Sequence, residues 1–342
     1  MSLADQHVPR RSVLLGAGVV GVTAVTGGVL WATWPDGPNG PPPSTYRPIT
    51  ADELRVERDD RAGLTRFRDG DGHLVATCTD QARTVTVRGP RRTLAEAETT
   101  AATVLSDSRV HLLPAPWAAD HAVAATWRPW LVQTHNHPPL DVIDVCFQYV
   151  VGAPERVDSR GVRYAGDASY GPLGEDSESR LEASDFYDYL GRDWTFADGE
   201  TKKYERRRLG AADCSGYLRL VLGYRLGLPL LSGNKEGPGL PRRAYAMAEH
   251  GPGRQLFRLK GERPGDHERD LLLPGDLVFF VTDGEDGIDH VGLFLGLDSD
   301  GRHRFISSRK KVDGPTMGDV GGLSVLDGKG LYARGWRSAR RL

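Results

Sequence analysis

Residues 213–217 read Asp-Cys-Ser-Gly-Tyr and run on into Leu218, Leu220, Val221, Leu222 and Tyr224. Asp213 is a good helix N-cap and the apolar run behind it reads as a buried helix. Cys214 is therefore expected in the first turn, facing unpaired backbone N–H groups and the positive end of the helix dipole. Such a setting lowers a thiol from about 8.5 into roughly the 3.5–7.5 range, and the Cys214 N–H would be available to a developing oxyanion. Alone this is a weak signal, because a single cysteine before an apolar helix is more often a small buried hydrophobe. A second block raises the odds. Leu272-Leu273-Pro274-Gly275-Asp276 leads into Leu277–Phe280, and a turn-rich stretch separates this strand from Asp289-His290-Val291-Gly292-Leu293. A histidine opening a strand can reach a thiol at a helix N-terminus, and the two make a thiolate–imidazolium couple able to attack an amide carbonyl.

In residues and order, these blocks resemble the NlpC-type cell-wall cysteine peptidases, a papain-like family. The resemblance rests on DCSGY at 213–217, GLPRRAYAMAEHG at 239–251, LLPGDLVFF at 272–280, DHVGLFLG at 289–296 and WRSARRL at 336–342, and covers roughly 140–342. It implies an α+β fold with the nucleophile helix packed on an antiparallel sheet that carries the base. It also implies hydrolysis of amide bonds in peptidoglycan stem peptides. By the same resemblance Cys214 is the nucleophile, His290 its base, and Asp213 and Ser215 contact the substrate amine. An upstream tyrosine, Tyr164 or Tyr170, would assist, and Tyr164 is taken as the candidate. Relatives usually orient the base with a third polar residue, most often histidine, on the next strand. Ser307 stands at that position here, and His303 lies four residues before it. Serine is a neutral and weaker orienter, so an inactive wall-binding protein on the same fold is a second reading. A thiol amidase or acyltransferase using the same couple is a third. None of these needs a metal or organic cofactor.

The rest of the chain must position and deliver these residues. Its 342 residues allow one large domain or two ordinary ones. Net charge is −2, so charge gives no argument for a nucleic-acid partner. Three cysteines exclude a disulfide-dense scaffold and leave Cys78 and Cys146 either paired or free. Arg10-Arg11 precede an uncharged apolar run to Trp34, which reads as a twin-arginine export signal or, being long enough to span a bilayer, as a retained N-terminal anchor. Residues 1–34 are assigned to that segment and 35–48 to a Pro-rich linker. Residues 49–135 read as a small β-rich region of unknown role, with a hairpin turning at Asp69–Gly72, strands at 84–88 and 108–113, and a short helix over 94–104. Residues 136–342 hold the peptidase-like domain, with a helix over 140–151 and a loop insertion at about 155–210. His135-Asn136-His137 has metal-like spacing without a carboxylate cluster and reads as a loop. Asp298–Gly301 reads as a hairpin turn rather than a calcium loop. The run Arg309-Lys310-Lys311 reads as a solvated face, or as a contact for stem-peptide carboxylates.

Overall fold

The computed structural model describes residues 46–175, 179–284 and 287–342. The export or anchor segment, and the linker as far as residue 45, lie outside the described residues. Among the described residues no helix is long and apolar enough to cross a membrane.

The first layer is an antiparallel meander in sequence order: β1 (Arg55–Asp59), β2 (Leu64–Arg68), β3 (Leu74–Thr79), β4 (Thr84–Ala95) and β5 (Thr103–Leu112). β2 alternates as a half-buried strand should, with Thr65 and Phe67 inward and Leu64, Arg66 and Arg68 outward. The Asp69 carboxylate closes the β2–β3 turn by accepting from the N–H groups of Asp71 and His73. The helix expected over 94–104 is not formed. Leu94 pairs with Val104 and Ala95 with Thr103 across the β4–β5 ladder, and the N–H groups of Thr99 and Thr100 turn back onto the Glu96 carbonyl. The good helix formers at 95–98 are overridden because Leu94 and Val104 gain burial by facing one core together.

Two helices follow, α1 (Trp127–Asn136) and α2 (Val142–Cys146). Asp141 caps α2 by accepting from Asp144 N at 2.8 Å, and a 3₁₀ turn at Phe147–Tyr149 ends it earlier than the expected 140–151 helix. The 155–210 stretch has more structure than a loop. It holds a hairpin of β6 (Arg156–Val157) and β7 (Arg163–Ala165), the short helix α3 (Phe186–Leu190), and a second hairpin of β8 (Trp194–Thr195) and β9 (Thr201–Lys202). Its aromatic residues Phe186, Tyr189 and Phe196 are buried in the main core.

Next come α4 (Cys214–Leu218), α5 (Ala244–His250), β10 (Arg254–Arg258), α6 (Asp266–Asp270), β11 (Leu277–Phe280), β12 (His290–Leu297), β13 (His303–Arg309), β14 (Gly314–Thr316), α7 (Leu331–Gly335) and β15 (Trp336–Arg341). The six strands form a sheet in the order β10-β15-β11-β12-β13-β14, with neighbours antiparallel. Alternation divides its side chains between two cores. Leu277, Phe279, Val291, Leu293, Leu295 and Ile306 join Cys214 and Leu218 on the α4 side. Val278, Phe280, Phe294 and Phe305 join Tyr332 and Trp336 on the α7 side. This is an α+β fold with helix α4 laid against an antiparallel sheet.

The meander is joined to this layer. Leu94, Val104 and Val110 belong to the α4-side core, and the Leu342 carbonyl accepts from Arg83 N and Thr84 N at the start of β4. Cys78, Cys146 and Cys214 are all free and buried. Cys78 sits in the meander's own core and Cys146 in the α4-side core, so they do not pair.

Candidate active site

Helix α4 starts where it does because Asp213 ends the preceding strand-like stretch and accepts from Gly216 N at 2.7 Å. Segment 184–185 crosses directly over this first turn, with Asp213 N donating to the Ser184 carbonyl at 2.9 Å. A Cβ on Gly216 would lie 2.3 Å from that carbonyl oxygen, so only glycine fits. The helix then widens into a π turn over Arg219–Arg225. Such turns are rare and recur at functional sites.

Strand β12 begins at His290 because Asp289 pins the chain there. The Asp289 carboxylate accepts from Thr282 N, Thr282 Oγ1 and Asp283 N, and its N–H donates to the Phe280 carbonyl. The Cys214 thiol then meets the backbone on both sides of His290. Its Sγ donates to the Asp289 carbonyl at 3.9 Å, and the Val291 N–H faces the sulfur. The His290 ring lies against Phe280 and Tyr332, and its Nε2 is 3.0 Å from Ser307 Oγ. The structure thus sets the Cys214 thiol of α4 against the backbone at the start of β12, and the His290 ring against Ser307 of β13.

Residues 191–317 match the model of the NlpC/P60 family. This part of the chain is an NlpC/P60 domain. The family is one of papain-like cell-wall peptidases and amidases. No curated protein matches the chain, and no solved structure does.

Within this NlpC/P60 domain the resting thiol differs from the expectation of a lowered pKa. Cys214 is 6 % exposed and His290 8 %. Burial, and then the Asp213 carboxylate, push the thiol up to about 12. Burial and then Arg309 push the imidazole down to about 3. Desolvation outweighs the helix dipole at this closed site, and both groups rest uncharged.

The proposed amine contacts are engaged within the chain. The Asp213 carboxylate accepts from Gly216 N, Ser215 Oγ, Ala183 N and both terminal nitrogens of Arg242. Ser215 Oγ also accepts from Arg242 at 2.7 Å. A carboxylate offers about four lone-pair sites, and the chain's own donors fill them. Arg242 continues to Asp185, which pairs with Arg219, so a line of four alternating charges runs behind α4.

Tyr164 is not brought to the thiol. Its ring lies under the Arg225 guanidinium, 4.9 Å from the centroid, and its carbonyl accepts from Tyr149 Oη. Of the two upstream candidates, Tyr170 is the one near the thiol. It is buried, and after burial itself the thiol and Asp213 are the main influences that raise its pKa. It is held from the far side by Asp313, which accepts from Tyr170 N and pairs with Arg180. His303 is held at the other end of β13 by Asp327, with Nδ1 at 3.1 Å, away from His290.

Arg309 also joins the site, and the reading of its run as a solvated face missed it. Only Lys310 and Lys311 are exposed, while Arg309 is buried with its Nε 3.1 Å from Ser307 Oγ. Period-two alternation could have found it, because 305, 307 and 309 must share one face of a strand.

The other sites with ligand-like spacing are structural. His135 is buried with Nε2 2.9 Å from the Arg47 carbonyl, and Asn136 exchanges two hydrogen bonds with Ile49. Asp69, Asp71 and His73 bring ligand atoms together at the β2–β3 turn. There Asp69 is spent on the turn and Asp71 pairs with Arg47. Asp298 closes the β12–β13 turn and pairs with Arg304.

Proposed function

We propose that the chain is an exported cysteine peptidase that hydrolyses amide bonds in peptidoglycan stem peptides. What supports this reading is the thiol set against the backbone on both sides of His290, and the His290 ring against the Ser307 hydroxyl, within the segment that matches the NlpC/P60 family. Cys214 is the nucleophile. His290 takes the thiol proton as the sulfur attacks the carbonyl carbon, and the N–H groups of the first α4 turn face the resulting oxyanion. Collapse of that intermediate breaks the C–N bond. His290 returns the proton to the leaving amine, and the acyl group stays on sulfur as a thioester. A water molecule, deprotonated by His290, then releases the acid. Ser307 orients the imidazole. Asp213 and Ser215 act as a scaffold, while Tyr170 stands near the thiol. Arg10-Arg11 with the apolar run to Trp34 support export, and the Pro-rich linker suits a body held clear of a membrane.

Digestion of purified peptidoglycan by the full chain, followed by mass analysis of the fragments, tests this. New stem-peptide ends that disappear with Cys214→Ala are expected. A wall-binding protein without turnover is the second reading, favoured by the uncharged and nearly enclosed thiol and imidazole. It predicts sedimentation with peptidoglycan and no new fragments. Changing Arg10 and Arg11 together to Lys should block export if the twin-arginine route is used; unaltered export would contradict that route.

A further inference from the structure

The thiol and the imidazole are nearly enclosed, so a ligand that reaches them has to move side chains at their rim. Three charged residues stand there, each next in the chain to a group already placed at the site. Glu182 precedes Ala183, whose N–H donates to the Asp213 carboxylate at 3.0 Å. Arg243 follows Arg242, which pairs with the same carboxylate at 2.8 Å. Lys310 follows Arg309, whose Nε lies 3.1 Å from Ser307 Oγ. Their charges are felt at the site as well. Glu182 acts on the Cys214 thiol, Arg243 on Asp213 and Lys310 on the His290 ring.

The three side chains meet. One carboxylate oxygen of Glu182 lies 2.6 Å from Lys310 Nζ, and the other lies 4.0 Å from Arg243 Nη1. A single carboxylate therefore stands between two cations. The backbone beneath each of them is tied down. The Glu182 carbonyl accepts from Arg208 Nη1 at 2.6 Å, Arg243 N donates to Asn234 Oδ1 at 2.9 Å, and the Lys310 carbonyl accepts from Asp313 N at 3.2 Å. The side chains of Glu182 and Lys310 are about half exposed, and that of Arg243 is only a little less so. Exposed ion pairs contribute little and are screened by salt. The neighbouring Arg180–Asp313 pair is more deeply set, and its carboxylate also accepts from Tyr170 N, so it reads as structural.

We propose that Lys310 and Arg243 form an anion subsite at the rim of the thiol, that Glu182 fills it in the resting chain, and that a carboxylate of a bound peptide takes the place of Glu182. The exchange makes and breaks no covalent bond. The incoming carboxylate accepts from the same ammonium and guanidinium donors, and Glu182 swings out to water on a backbone that stays where it is. Two cations and no resident anion then face the ligand, which suits an acidic residue. This gives the run at 309–311 a divided role, with Arg309 turned inward onto Ser307 and Lys310 turned outward to the ligand. The inference rests on the peptidase reading for the identity of the peptide, whose carboxylate is then one carried by the stem peptide.

Its test needs no turnover. Cys214 of the full chain is alkylated with iodoacetamide, which is uncharged, and the rate is followed by peptide mass. The protectants are the acidic peptide acetyl-Ala-Glu-Ala-amide and its neutral isostere acetyl-Ala-Gln-Ala-amide. The acidic peptide should protect at roughly tenfold lower concentration, as expected for a hydrogen-bonded charge. Glu182→Gln, which removes the resident carboxylate, should widen that gap several-fold. Lys310→Gln and Arg243→Gln together should close it. Circular dichroism checks the fold, and should the double variant fail to fold, Glu182→Gln decides alone. If Cys214 proves unreactive, the same two peptides are compared by calorimetric titration. Equal action of the two peptides, an acid preference that survives loss of both cations, or one that shrinks in Glu182→Gln would overturn the proposal. Absence of turnover on peptidoglycan would sink the peptidase reading and leave the subsite standing.

Discussion

Two buried thiols lie at the ends of two short helices, and burial raises the pKa of both. Cys146 closes α2 and Cys214 opens α4. Burial pushes each up to about 12. The helix end by itself therefore does not make a resting nucleophile when the thiol is out of water. What separates the two is their surroundings. Both belong to the α4-side core, but beside Cys146 there is no strand start among the described residues, and its carbonyl accepts from Tyr217 Oη. Cys214 touches the backbone on both sides of a histidine, at the junction of a helix and a strand. That junction, and not the helix end alone, sets Cys214 apart.

The largest effect that would sharpen the contrast is on turnover. Cys214→Ala should abolish peptidoglycan hydrolysis and keep the circular dichroism spectrum. Cys146→Ala should keep turnover and lose stability on the order of 1 kcal/mol in a urea melt. Equal loss of turnover in both would erase the distinction.

The next effect is on the charges behind α4. Arg242→Ala leaves Asp213 and Asp185 buried without a shared partner, and breaking such a pair costs about 3–5 kcal/mol. A denaturant midpoint close to that of the wild type would show that Asp213 is not held as described, and would return it to the role of amine contact.

A smaller effect is expected in the pH dependence of stability. The folded imidazole of His290 is depressed from its ordinary 6.5 to about 3. Between those values the unfolded chain binds the proton and the folded chain does not, so stability is full above about 6.5 and falls as pH drops toward 3. His290→Gln should flatten this part of the profile. An unchanged slope would mean that other groups carry it.

The smallest effect concerns the tyrosines. Tyr170→Phe, beside the thiol, should lower turnover several-fold, whereas Tyr164→Phe should be silent. The reverse result would restore the assignment made from sequence.

Where a residue's role follows from its immediate neighbours in the chain, the sequence was a good guide. The cap at Asp213, the apolar run after Cys214, the strand opened by His290 and the turn at Asp298 were all legible. The matching position of Ser307 was legible too, although its neighbour Arg309 was read as part of a charged run. Contacts across layers were not legible. Leu94 and Val104 form a strand pair because of a shared core, and Tyr170 comes near the thiol because Ser169 hydrogen-bonds Gly210 and Ala212 just before α4. Thiol acidity was misjudged because a helix dipole can be read from a capping pattern, while desolvation depends on what packs above it.

The claim that Cys214 forms the bond is tested most directly by trapping that bond. The full chain is mixed with soluble muropeptides, quenched in acid within milliseconds to seconds, and analysed by peptide mass. The account predicts an acyl group carried as a thioester on the peptide containing Cys214, absent in Cys214→Ala and removed by hydroxylamine. Hydrolysis that proceeds with no adduct on that peptide and persists in Cys214→Ala would contradict it.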